Sequence, residues 1–156
     1  MRILGLTLAF LVLSAFEPWR LALAAEGFHA NYVGGTVSSL AVKTDGVLKT
    51  AGEEFLAFKA KKSQVQISYS KINLIEYGQK VDRRYLAAFL ISPLFLLSKS
   101  RQHFLTLGYT DDAGHQQAMV FQVPKGSVRS VLVSLEARTG LKVQFQDGEA
   151  RKAGKG

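Results

Sequence analysis

No cysteine occurs among the 156 residues, which excludes disulfides, thiolate metal sites and cysteine nucleophiles. Histidine is nearly as scarce, with only His29, His103 and His115. Proline appears three times, at Pro18, Pro93 and Pro124, and tryptophan once, at Trp19. Acidic side chains number 12 against 20 basic, a net charge of +8. No uninterrupted apolar stretch reaches the roughly 20 residues that a bilayer-spanning helix requires. What is present suits one globular domain with a core: 47% of residues are hydrophobic and 21% charged, too apolar for a disordered chain.

Met1-Arg2 is a short basic start, and Ile3 to Phe16 an apolar run. Glu17-Pro18-Trp19-Arg20 breaks that run, and Ala22-Leu23-Ala24 offers a small-x-small cleavage pattern. Charge, apolar core and small residues in that order predict a cleaved signal peptide over 1–24 and an exported protein, periplasmic or secreted. The competing reading is an uncleaved anchor, but the run reaches only about 21 Å of a hydrocarbon core of about 30 Å. The chain from Ala25 keeps 18 basic and 11 acidic residues, a balance of +7. Such an excess attracts anionic surfaces, unless it is scattered.

Residues 25–31 read as a flexible lead-in. Short β-prone segments follow: Tyr32 to Val37, Val47 to Thr50, Phe55 to Lys59, Val65 to Tyr69 and Ile72 to Tyr77. Thr44-Asp45-Gly46 and Ala51-Gly52 read as turns between them. His103 to Thr110 and His115 to Val123 flank Asp111-Asp112-Ala113-Gly114, a hairpin signal. With a four-residue turn, Thr110 pairs with His115. Leu105, Leu107, Ala118 and Val120 then share the core face, and Phe104, Met119 and Phe121 the other. Ser127 is placed to cap a helix whose Val128, Val131, Leu132 and Leu135 form one apolar stripe and which Gly140 ends. Leu141 to Phe145 reads as a short last strand, and 147–156 as a polar disordered tail.

About seven antiparallel strands followed by one C-terminal helix make a mainly β fold. Tyr32-Val33-Gly34-Gly35-Thr36, Ile67 to Ile72, Ile75 to Gly78, His103 to Leu107 and Leu135 to Gly140 carry a resemblance to bacterial pleckstrin-homology-like (PH-like) domains, several of them in exported proteins. The resemblance covers roughly Tyr32 to Phe145 and implies a PH-like domain over 32–146. It implies a barrel of two strongly bent, near-orthogonal sheets with the helix closing one open corner. It says little of chemistry, because this fold hosts lipid, peptide and protein binding alike. The phosphoinositide-binding subset surrounds its first hairpin with lysines and arginines; here Lys43 and Lys49 stand alone, so no such site is expected.

An apolar insertion over 80–101, between the fifth and sixth strands, departs from that pattern. Tyr85 to Leu97 is uncharged, contains Pro93, and is too short to span a bilayer. One reading packs it against the barrel, over Phe104, Met119 and Phe121. The other makes it a tip that dips into a membrane interface or a partner's groove. Phe89, Leu90, Leu94 and Phe95 would then be inserted, and Arg83, Arg84, Lys99 and Arg101 would meet anionic groups.

Catalysis requires a nucleophile, a base and an orienting group within reach of one another. His103 and His115 fall at opposite ends of the hairpin, about 23 Å apart at strand spacing, too far to share a metal. His115 beside Asp111 and Asp112 suits turn chemistry, and Glu53-Glu54 as strand neighbours point to opposite faces. Gly34-Gly35 precedes no helix, so no phosphate-cradling loop is implied. Lys59, Lys61 and Lys62 suit an edge guarded against pairing, and no basic groove interleaved with aromatics is visible. The expectation is therefore an exported, non-enzymatic binding module for a protein, peptide or envelope surface. It calls for no cofactor, metal or nucleic acid. A free sheet edge or the groove beside the C-terminal helix is the expected peptide site. The alternative is peripheral membrane attachment through 85–97 and its basic flanks.

Overall fold

The computed structural model describes residues 27–80 and 102–155. The expected signal segment 1–24 and all but the first residue of the insertion lie outside them. The elements are β1 (Phe28–Gly35), β2 (Thr44–Lys49), β3 (Phe55–Ala60), β4 (Gln64–Ser68), β5 (Ile72–Gly78), β6 (Phe104–Thr110) and β7 (Gln116–Gln122), then α1 (Val128–Thr139), β8 (Gln144–Phe145) and α2 (Gly148–Lys155). The strands join in one sheet of order β4-β3-β2-β1-β7-β6-β5-β8. All neighbours are antiparallel except β5 and β8. The fold is thus mainly β with a C-terminal helix, as the sequence predicts. It differs in having eight strands in a single sheet whose edges, β4 and β8, do not pair.

β1 is the strand on which the sheet turns. Its first half, Phe28 to Tyr32, pairs with β2. Its second half pairs with β7, with a register shift between Tyr32 and Gly34. Bulges of this kind let one strand serve two differently directed parts of a sheet. Gly35 has φ +154°, and a Cβ there would collide with the Ala118 carbonyl and the Tyr32 hydroxyl. Pairing with β2 also makes Phe28 to Asn31 ordered strand, where the sequence suggested a flexible lead-in. Thr44 to Gly46, expected as a turn, belongs to β2; Lys43 takes the left-handed position instead (φ 67°) and donates its N–H to the Tyr32 carbonyl at 2.8 Å.

The core fills the concave side. Phe121 packs edge-on to Tyr32, with centroids 5.9 Å apart, and against Phe58 at 4.9 Å. Leu48, Leu56, Ile75, Leu105, Leu107 and Met119 surround them. α1 adds Val128, Val131, Leu132 and Leu135, the stripe the sequence predicts. Ser127 occupies the N-cap position, yet its side chain makes no capping bond; Gly140, at φ 72°, closes the helix by donating its N–H to the Glu136 carbonyl at 2.9 Å. α1 ties the two halves of the sheet together. Ser134 bonds Thr50 through their hydroxyls at 2.7 Å, Arg138 donates to the Ala51 carbonyl at 3.1 Å, and the apolar stripe meets Tyr77, Leu105 and Val123.

The β6–β7 hairpin corrects the expected facing. Thr110 pairs with Gln116, not His115, which puts Leu107 opposite Met119 and Leu105 opposite Phe121. The turn spans three residues. Asp111 and His115 close it by a backbone bond of 2.9 Å, and Gly114 sits at φ 85°. This is the turn-plus-bulge loop that a left-handed glycine permits. One residue of register moves every side chain of β7 to the other face. Met119 and Phe121 are therefore core, while Ala118 and Val120 join Phe104 and Thr106 on the opposite face. That face is also buried: Val120 and Val33 are 0% exposed, Thr106 3% and Phe104 4%.

Candidate functional site

The polar tail expected at 147–156 is instead helix α2 over Gly148–Lys155, and it builds one wall of a groove. Asp147 starts the helix: its carboxylate accepts the Ala150 N–H at 2.7 Å, and its carbonyl accepts the Arg151 N–H at 3.0 Å. A short acceptor side chain at this position satisfies a donor that the first turn leaves unpaired. Glu149 in the first turn and Lys152 and Lys155 in the last suit the helix dipole. The inner face is small: Ala150 and Gly154 are buried. A Cβ on Gly154 would come within 2.6 Å of the Phe145 ring and 3.2 Å of Tyr77 and Leu132, so the missing side chain sets how closely α2 docks.

Between α1, β8 and α2 lies an open groove of about 560 Å³. Arg129, Val133 and Glu136, spaced i, i+4, i+7, form the α1 wall, and Arg151 and Lys155, spaced i, i+4, the α2 wall. Lys142 and Val143 stand at the start of β8, and Phe145 lies on the floor. Phe145 meets Tyr77 edge-on at 6.1 Å, with the Arg151 guanidinium 5.9 Å and the Lys155 ammonium 5.8 Å from its ring centroid. Each such cation–π contact contributes about 0.5–1 kcal/mol at an exposed site and restrains the long side chain. Val133 is 57% exposed, one of three large apolar side chains so open among the described residues.

Charge in the groove is one-sided. Arg129, Lys142, Arg151 and Lys155 face a single carboxylate, Glu136, whose Oε1 already accepts the Val143 N–H at 2.9 Å. Among the described residues none of these four cations is paired with an acidic side chain. Beneath the floor, the layer between Tyr77, Leu105, Val123 and α1 leaves no room for a water molecule. The groove therefore offers an apolar bottom, cationic walls and a rigid dry support.

Of the buried titratable groups, Tyr77 borders this layer and contacts His103. Tyr77 and His103 stack with centroids 6.0 Å apart, and the Tyr77 hydroxyl lies 2.5 Å from His103 Nδ1. Burial pushes the Tyr77 hydroxyl up to about 12. Burial, and then the charge of Lys125, lowers His103 below its ordinary value. Tyr77 therefore keeps its proton and His103 is held neutral, and the two share one buried hydrogen bond. His115 is exposed in the turn with Asp111, at the far end of the hairpin from His103. Asp111 accepts the N–H groups of Ala113 at 3.0 Å and His115 at 2.8 Å and the Gln117 amide at 2.8 Å, bonds that hold its carboxyl below the usual range. Among the described residues, no three His, Asp or Glu side chains converge as metal ligands.

Arg83, Arg84, Phe89, Leu90, Leu94, Phe95, Lys99 and Arg101, the contact residues expected from the sequence, all lie outside the described residues. The groove beside the C-terminal helix was expected in general terms, but none of its side chains was named. The signal for α2 was present in Asp147-Gly148-Glu149-Ala150, a capping residue followed by an acidic first turn. In comparisons with known proteins, the chain matches no family model and no curated sequence.

Proposed function

We propose that this protein is an exported, non-enzymatic PH-like binding module that holds a peptide or protein segment in the groove beside its C-terminal helix. The groove itself carries the reading: an open, partly apolar channel between two helices and a short strand, lined by four cations that no acidic side chain pairs among the described residues. Its size falls within the range of about 300–1,000 Å³ usual for ligand sites. Two features support the PH-like part. Strands β1 to β4 and β5 to β7 form two meanders that join through β1 and β7, and one amphipathic helix then packs across both halves. β1 bends at a bulge beside Gly34-Gly35, where a barrel of two near-orthogonal sheets would turn its corner. Export rests on the order of charge, apolar run and small residues before Ala25. A binding role is favoured because Tyr77 and His103, the strongly buried titratable pair, satisfy one another beneath the groove rather than opening into it.

The test is selection of peptides from a random displayed library on the purified protein, followed by binding to Val133→Arg. Val133 is too exposed for this change to disturb the core. The expected result is a set of selected peptides that bind the parent protein and lose affinity for the variant. Peptides that bind both equally would place the site elsewhere, and no enrichment at all would contradict the binding-module reading.

A further inference from the structure

We infer that the groove between α1, β8 and α2 recognises an acidic peptide segment in which carboxylates flank an apolar or aromatic side chain; this rests on the binding-module reading above. Charge complementarity selects the occupant. Arg129, Lys142, Arg151 and Lys155 line a groove in which Glu136 is the one carboxylate among the described residues, and it accepts the Val143 N–H. A ligand without negative charge would leave the four cations lining this open groove uncompensated. A basic ligand would be repelled by them.

The apolar part of the ligand follows from the middle of the groove. Val133, exposed on the α1 wall, and the Phe145 ring line the same groove, so an apolar side chain seated against them is removed from water. The Phe145 ring is itself flanked by Arg151 and Lys155 at 5.9 and 5.8 Å. Those contacts hold the two cations near the ring, so less side-chain freedom is lost when a carboxylate arrives. The concave shape disfavours a flat headgroup layer. An extended chain, with carboxylates reaching both walls and one apolar residue pointing down, meets all of these features.

Three fluorescein-labelled nonapeptides test this by fluorescence anisotropy with the purified protein. Each carries a central Leu-Phe pair flanked by glutamate, by glutamine or by lysine. The glutamate peptide is expected to bind about tenfold more tightly than the glutamine peptide, from several weak exposed pairs acting together. Its affinity is expected to fall several-fold between about 50 mM and about 300 mM salt. The double variant Arg151→Gln, Lys155→Gln is expected to lose about tenfold in affinity. Val133→Glu, which leaves the core untouched, is expected to repel the acidic peptide while melting as the parent does. Equal binding of the glutamine and glutamate peptides, with loss in Val133→Glu, would overturn the acidic assignment and leave the groove as a peptide site. Binding of no peptide would overturn both. Displacement of the glutamate peptide by phosphatidylglycerol vesicles, with vesicle binding lost in the double variant, would overturn the peptide in favour of a membrane surface.

Discussion

His103 shows how one side chain ties the interior to pH. It is 8% exposed, and its Nδ1 shares a hydrogen bond with the Tyr77 hydroxyl. Protonation would leave a charge in the core, and burial is the main reason its pKa lies below the ordinary histidine value near 6.5. As pH falls through about 6.5, the unfolded chain takes up a proton before the folded chain does. Stability is therefore whole above that value and declines below it, until the folded-state pKa is reached. Urea midpoints of the parent protein are expected to drop between about pH 7.5 and about pH 5, and those of His103→Gln to drop less. Parallel slopes in the two proteins would contradict the assignment. His103 was legible in the sequence only as an isolated imidazole at a strand start, because its partner Tyr77 lies 26 positions away.

At the scale of elements, two short signals decide more than the long apolar patterns. The first is Gly114, whose left-handed backbone makes the hairpin loop three residues long and sets the facing of all of β7. Nothing lies within 4 Å of a Cβ built there, so Gly114→Ala isolates the backbone cost. The expected loss is about 1–2 kcal/mol of unfolding free energy, measured by denaturant titration. The strands themselves were legible from alternation. The facing was not, because a turn read as four residues rather than three inverts it. The second signal is Asp147. Gly148 and Gly154 each weaken a helix by about 1 kcal/mol relative to alanine, which favours reading a tail. The structure offsets this through the Asp147 cap and through Gly154, which lets the helix sit close over Phe145 and Tyr77. Asp147→Ala is expected to cost about 0.5–2 kcal/mol, and amide exchange should accelerate within α2 while the sheet stays protected. Unchanged exchange in α2 would show that packing alone holds the helix.

Across the whole molecule, one open sheet shifts register at β1 and is bridged by α1, and α2 completes a charged groove on that frame. The mainly β class, helix α1 and the order of the first seven strands could be read from local pattern. The single continuous ladder could not. It depends on β1 pairing with β7, more than 80 residues on, through a bulge that no local pattern encodes. The groove was hidden for a related reason. Arg129, Lys142, Arg151 and Lys155 are scattered in sequence and converge only once α2 packs on β8. The measurement that bears most directly on this account is an amide NMR titration of the protein with the glutamate-flanked peptide. The account predicts shifts concentrated in 129–136, 142–145 and 151–155, saturating together with one affinity. Shifts centred on the β4 edge, or none in those three stretches at saturating peptide, would contradict it.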